Sequence, residues 1–179
     1  PPRATPVRAP VSVPGSVVTV LKRRADGGYE SLAELPNVSA QVTVVRVADV
    51  DRDGKHEIIA SGTSGRVTVY KPRKVGDRDY FAVIWQSRHL ISDTLAPSGP
   101  GGPMAQVQAL AIGDVTGDAQ PDIVVGALEM GKAGDRDIRS PRLHVFSFDG
   151  ARDFASAWTS DYLAYQSVSS LAIGDLDAD

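Results

Sequence analysis

Short apolar runs rich in β-branched residues alternate along the chain with clusters of Asp, Gly, Ser and Pro. The run at 42–47 (VTVVRV) is followed at short intervals by 57–60, 67–70 and 81–85, and the succession returns at 107–112, 122–125, 143–148 and 155–159. Each run is short, bounded by turn residues and without a helical period, so each reads as a β-strand joined to the next by a hairpin-like turn. The pattern predicts two full four-stranded units, over about 41–88 and 106–160, preceded by two strands at 17–21 and 29–35 and followed by one at 168–173. The nearly continuous apolar character of 41–47 and 107–112 predicts inner strands buried on both faces.

The polar stretches between the runs repeat as well. In Asp49-Val50-Asp51-Arg52-Asp53-Gly54-Lys55-His56-Glu57, three carboxylates occupy alternate positions, a glycine follows, and a fourth carboxylate closes the ninth position. A related loop, Asp114-Val115-Thr116-Gly117-Asp118-Ala119-Gln120-Pro121-Asp122, begins 65 residues on, and a third, Asp175-Leu176-Asp177-Ala178-Asp179, begins 61 residues after that. Self-similarity at such a period is the mark of a repeat architecture. Four-stranded units in series point to a β-propeller. The other architecture with this pattern is an open stack of hairpins or a β-sandwich. Two units cannot close a propeller, and open sheet edges invite pairing, so further blades or partner proteins are expected to cover them. The middle unit is the longest, and the Pro/Gly-rich segment 92–103 accounts for its extra length.

The first loop has the chemistry of a hard-cation site. Asp49, Asp51 and Asp53 can turn toward one point, Gly54 permits the sharp turn, the Lys55 carbonyl can add an oxygen, and Glu57 can close the shell. Such an all-oxygen set suits Ca²⁺ rather than zinc. Without a cation, carboxylates this close repel one another. The competing reading is a solvated Asp/Gly turn. In the second loop Asp114, Asp118 and Asp122 remain with the Gln120 carbonyl, but Thr116 offers only a hydroxyl and Ala119 stands where the first loop has glycine. In the third loop Asp175, Asp177 and Asp179 are present and the closing half is not.

Composition narrows the classes. A net charge of −3 without a basic stripe argues against a nucleic-acid partner, and no apolar run approaches a membrane span. The absence of cysteine removes disulfides, thiolate metal sites and a cysteine nucleophile. His56, His89 and His144 lie in no zinc-ligand spacing, and no phosphate loop or nucleophile elbow is present. The enzyme expectation is therefore negative. Trp85 and Trp158 hold equivalent positions and read as core. The sequon Asn37-Val38-Ser39 has meaning only in a secreted eukaryotic protein. Gly76-Asp77-Arg78-Asp79 and Gly134-Asp135-Arg136-Asp137 match by coincidence, as turns in different connections. Residues 1–14 carry five prolines and read as a linker or arm. A chain that opens on Pro1-Pro2 and stops inside an acidic loop is expected to continue beyond both ends. The stretches 92–103 and 129–141 read as long loops suited to partner contact.

The units at 47–59 and 112–126 resemble FG-GAP/VCBS repeats, the blades of integrin α-subunit propellers and of many secreted bacterial proteins. The resemblance covers about 15–179. It implies an all-β partial propeller in which the acidic loop joins the first two strands of a blade and holds Ca²⁺, with Asp49, Asp51, Asp53, Glu57 and the Lys55 carbonyl as ligands. It implies a non-catalytic scaffold for adhesion or protein assembly at an extracellular, cell-surface or periplasmic location. A scaffold within a polysaccharide-active, lyase-like enzyme, with carbohydrate as ligand, and an accessory subunit of a large complex are the alternatives.

Overall fold

The computed structural model describes residues 16–36, 41–76, 78–97, 104–151 and 153–174. Among them are ten strands and no helix. β1 (Val17–Arg23) and β2 (Tyr29–Pro36) form a hairpin. β3 (Val42–Ala48), β4 (Glu57–Gly62), β5 (Val67–Val75) and β6 (Arg78–Gln86) form a four-stranded sheet in that order. β7 (Met104–Gly113), β8 (Asp122–Ala133), β9 (Arg136–Phe148) and β10 (Phe154–Thr159) form a second. All pairings are antiparallel between sequence neighbours, as short turns between β-branched runs require. No helix of the described residues is long and apolar enough to cross a membrane. Residues 1–14 and the sequon lie outside the described residues.

The two sheets repeat each other down to their irregularities. The first two strands of each carry a register shift at matching positions, Val42/Val44 and Val107/Ala109. The last two pair Val69 with Trp85 and Val145 with Trp158, with a shift at the next step in both. The β1–β2 hairpin shifts at Val20/Leu21, the corresponding place. A bulge re-aims a strand. Its recurrence shows that the sequence repeat is a structural one.

Successive sheets share a core. Val50 of the loop after β3 and Ile59, Val67 and Val69 of the first sheet meet Val107, Leu110, Ile123, Val125 and Phe146 of the second. The opposite face of the first sheet packs Ile58, Ala60 and Tyr70 against Leu35, Val18 and Val20 of the hairpin. The Thr43 hydroxyl donates to the Val107 carbonyl at 2.6 Å, tying β3 to β7. Gln108, which matches Thr43, accepts at 3.2 Å from the Val168 N–H.

Four expectations are corrected. Neither β3 nor β7 is an inner strand: each is an edge of its sheet, β3 with Val45 and Val47 exposed, and the strand buried along its whole length is β4. An apolar run records composition, not place in the sheet. Residues 129–141 are not a loop but the tip of the β8–β9 hairpin, paired from Glu129↔Ser140 to Ala133↔Arg136. Residues 168–173 lie beside β7 without a ladder partner among the described residues, so they are not a strand. Trp158 is 53% exposed, whereas Trp85 is partly buried and packs against the core.

The two acidic loops share one backbone path. Arg52 and Gly54 have φ of 56° and 84°, and the matching Gly117 and Ala119 have 77° and 62°. Each loop thus places glycine at only one of its two left-handed positions. A side chain there costs about 1 kcal/mol or more. Ala119→Gly is therefore expected to stabilise the protein by about 1 kcal/mol in urea denaturation. A loss of stability would show that the loop relaxes out of this conformation.

Candidate metal centre

The first acidic loop connects β3 to β4, and Glu57 opens β4 with no solvent exposure. The loop's own amides hold three of its carboxylates. Val50 N–H donates to Glu57 Oε2 at 3.0 Å, Gly54 N–H to Asp49 Oδ2 at 2.9 Å, and Lys55 N–H to Asp53 Oδ1 at 3.0 Å. These bonds point the other oxygens inward. Asp49, Asp51 and Glu57 bring ligand oxygens within 4.8 Å of one another. Asp49 Oδ1, Asp51 Oδ1 and Glu57 Oε1 are buried and have no hydrogen-bond partner. Buried polar atoms are ordinarily satisfied, so this convergence fits a cation of hard-oxygen preference.

Asp53 does not join that grouping. Its Oδ2 is 2.8 Å from Lys71 Nζ, which also contacts Asp51 Oδ2 and stands 3.6 Å from Glu57 Oε1. Lys71 comes from β5, and its side chain is only 5% exposed. Burial works to lower the pKa of its ammonium, but the bonds to Asp51 and Asp53 and the charge of Glu57 outweigh that and hold it above its ordinary value. The bond to Lys71 holds Asp53 below the usual carboxylate range. Burial pushes Glu57 upward, the Val50 amide opposes, and the charges of Asp51 and Asp53 add to the rise. One ammonium thus faces a group of carboxylates that it only partly neutralises.

The second loop is differently resolved. Asp114 accepts from Gly117 and Ala119, both at 2.7 Å, and Asp118 accepts from Gln120 N–H at 2.8 Å. Asp122 matches Glu57, and its Oδ2 accepts from Val115 N–H, Thr116 N–H and Thr116 Oγ1. Its Oδ1 accepts from Ser147. Thr116 therefore serves as a donor to Asp122. Every oxygen of Asp114 and Asp122 is already engaged, and the structure draws no metal-capable grouping from this loop. Asp175, Asp177 and Asp179 lie outside the described residues.

Lys71 is the site residue that the sequence reading missed. The strand's alternation carries the signal: Val67, Val69 and Lys71 share one face, and that face runs into the acidic loop. His56 is exposed, as a turn residue. His144 is buried and belongs to a separate cluster around Glu129, described below. No family model matches the chain, and no curated protein or solved structure matches it.

Proposed function

We propose that the chain is a segment of a calcium-braced β-propeller of the FG-GAP/VCBS kind, a non-catalytic scaffold for adhesion or protein assembly outside the cytoplasm. The observation that carries the reading is the convergence of three buried oxygens without a hydrogen bond, from Asp49, Asp51 and Glu57, in a loop between the first two strands of a repeated unit. The ligands are Asp49, Asp51 and Glu57, with Asp53 available when it parts from Lys71. The ion cross-braces β3 and β4.

The serial packing supports the propeller. The face of Val50, Ile59, Val69 and Trp85 is covered by the second sheet. The matching face of the second sheet presents Val115, Val124, Val145 and Trp158 around an apolar hollow. Val168 meets Gln108 where Val107 meets Thr43, as a further unit entering in the same way would require.

Melting temperature tests the reading, compared in calcium and in chelator for the protein and for an Asp51→Ala/Asp53→Ala variant. With a dissociation constant of about 0.1 mM, millimolar calcium stabilises by about 1.5 kcal/mol. The variant is expected to lose that gain. An identical melting temperature in calcium and chelator for the unaltered protein refutes the metal site and leaves a β-repeat scaffold.

A further inference from the structure

The third strand of each sheet delivers one side chain to the buried carboxylate that opens the second strand. In the second sheet Ser147 donates to Asp122, whose Oδ2 takes three further bonds from the loop, and the carboxylate is satisfied. In the first sheet the matching residue is Lys71, 3.6 Å from Glu57 and in contact with Asp51 and Asp53. Three oxygens of that loop stay without a hydrogen-bond partner. We infer that Lys71 is a tethered cation that a divalent ion must displace from the first loop, so that this one residue sets the affinity and makes the site a low-affinity one.

The geometry leaves little alternative. Lys71 Nζ stands close to two of the three residues that supply the inward oxygens, and it withholds Asp53 Oδ2 from any ion. A dication bound to Asp51 and Glu57 would lie a few ångströms from the ammonium, where like charges repel strongly in a partly dehydrated site. Displacement frees Asp53 as a further oxygen ligand and moves the ammonium into water. The exchange is a competition between charges, in which the dication must also overcome the bonds that Lys71 already makes. Such a site fills where calcium is millimolar, as outside cells, and stays filled by lysine where it is micromolar. The inference rests on the first loop being a divalent-ion site.

The test uses calcium alone as probe, with calorimetric titration of the protein and of Lys71→Met and Lys71→Ser variants. Removing the ammonium is expected to tighten calcium binding by about tenfold or more. In chelator the variants should melt below the unaltered protein, since their carboxylates lose the ammonium that pairs with them, and in calcium the order should narrow or reverse. A second readout needs no variant. Lys71 should resist amine acetylation in chelator and become reactive in saturating calcium, with Lys132, already 40% exposed, as internal reference. Calcium binding that is no tighter in the variants, with Lys71 equally protected in both conditions, overturns the inference and leaves the metal site standing. No calcium binding by the protein or by either variant overturns both. Should the variants fail to fold even in calcium, the acetylation pattern of the unaltered protein decides.

Discussion

Trp85→Ala is expected to destabilise the protein by about 3 kcal/mol, the lower end for core Trp truncations, because Trp85 is only partly buried against the core. Trp85 is the penultimate residue of β6 and reaches across to the second sheet. Its ring centroid lies 5.3 Å from that of Phe146 at an interplanar angle of 62°, and 5.1 Å from that of Phe154. Phe154 lies in turn 5.2 Å from Phe148. This aromatic set is the outer half of the seam between the two sheets, so alanine opens a cavity and also removes edge-to-face contacts. For a chain of 179 residues the loss corresponds to a melting-temperature drop on the order of 10 °C. The repeat supplies the control. Trp158 occupies the matching register position but is 53% exposed. In this chain Trp158→Ala should change stability by less than about 0.5 kcal/mol. Each variant leaves one tryptophan to report denaturant unfolding by fluorescence. Equal losses in the two variants would mean that the seam does not depend on Trp85. A cycle pairing Trp85→Ala with Phe154→Leu should show a coupling of about 1 kcal/mol.

That contrast shows what the sequence made legible. Strand positions followed from β-branched runs and turn residues, and the pairing of successive strands from short connections. The acidic loop of the first unit was legible because carboxylates at alternate positions can converge on one point. Burial was less legible. It depends on which face the neighbouring sheet covers, and the words Ala-Val-Ile-Trp and Ala-Ser-Ala-Trp do not encode a neighbour. Lys71 escaped notice because twenty residues separate it from Asp51 and antiparallel pairing alone brings them together. Glu129 escaped for the opposite reason. Charged residues beyond Leu128 read as a loop, yet Ile123, Val125, Ala127 and Glu129 share one face of β8, and the first three are core. Strand parity carried both signals.

Glu129 itself carries the second large effect. It is fully buried. Its Oε2 accepts from Ser92 N–H at 2.9 Å and from the Tyr162 hydroxyl at 3.2 Å. Its Oε1 faces His144 Nε2 at 3.6 Å and Arg142 Nη1 at 3.9 Å. Arg142 donates from Nε to the Ser160 carbonyl at 2.8 Å and lies over the Tyr162 ring. One carboxylate thus fastens the segment after β6 and the segment after β10 to the β8–β9 hairpin. Glu129→Leu leaves these donors without their acceptor and is expected to cost about 3–5 kcal/mol at neutral pH. Glu129→Gln keeps the shape and one acceptor oxygen and should cost about 2 kcal/mol.

The pH dependence separates charge from shape. Burial raises the Glu129 pKa, but the facing His144, the Ser92 amide and the charge of Arg142 outweigh it and hold the group below its ordinary value of 4.5. A carboxyl whose pKa is lower folded than unfolded contributes stability that is fully present above the unfolded value and is lost as pH falls through the folded one. The unaltered protein should therefore lose part of its denaturant-measured stability below about pH 4.5. Glu129→Gln, which has no such proton to bind, should follow a flatter acid limb, so that the two curves converge as pH falls. Parallel curves down to the acid limit would show that the Glu129 charge contributes nothing to the fold and that only its shape is used.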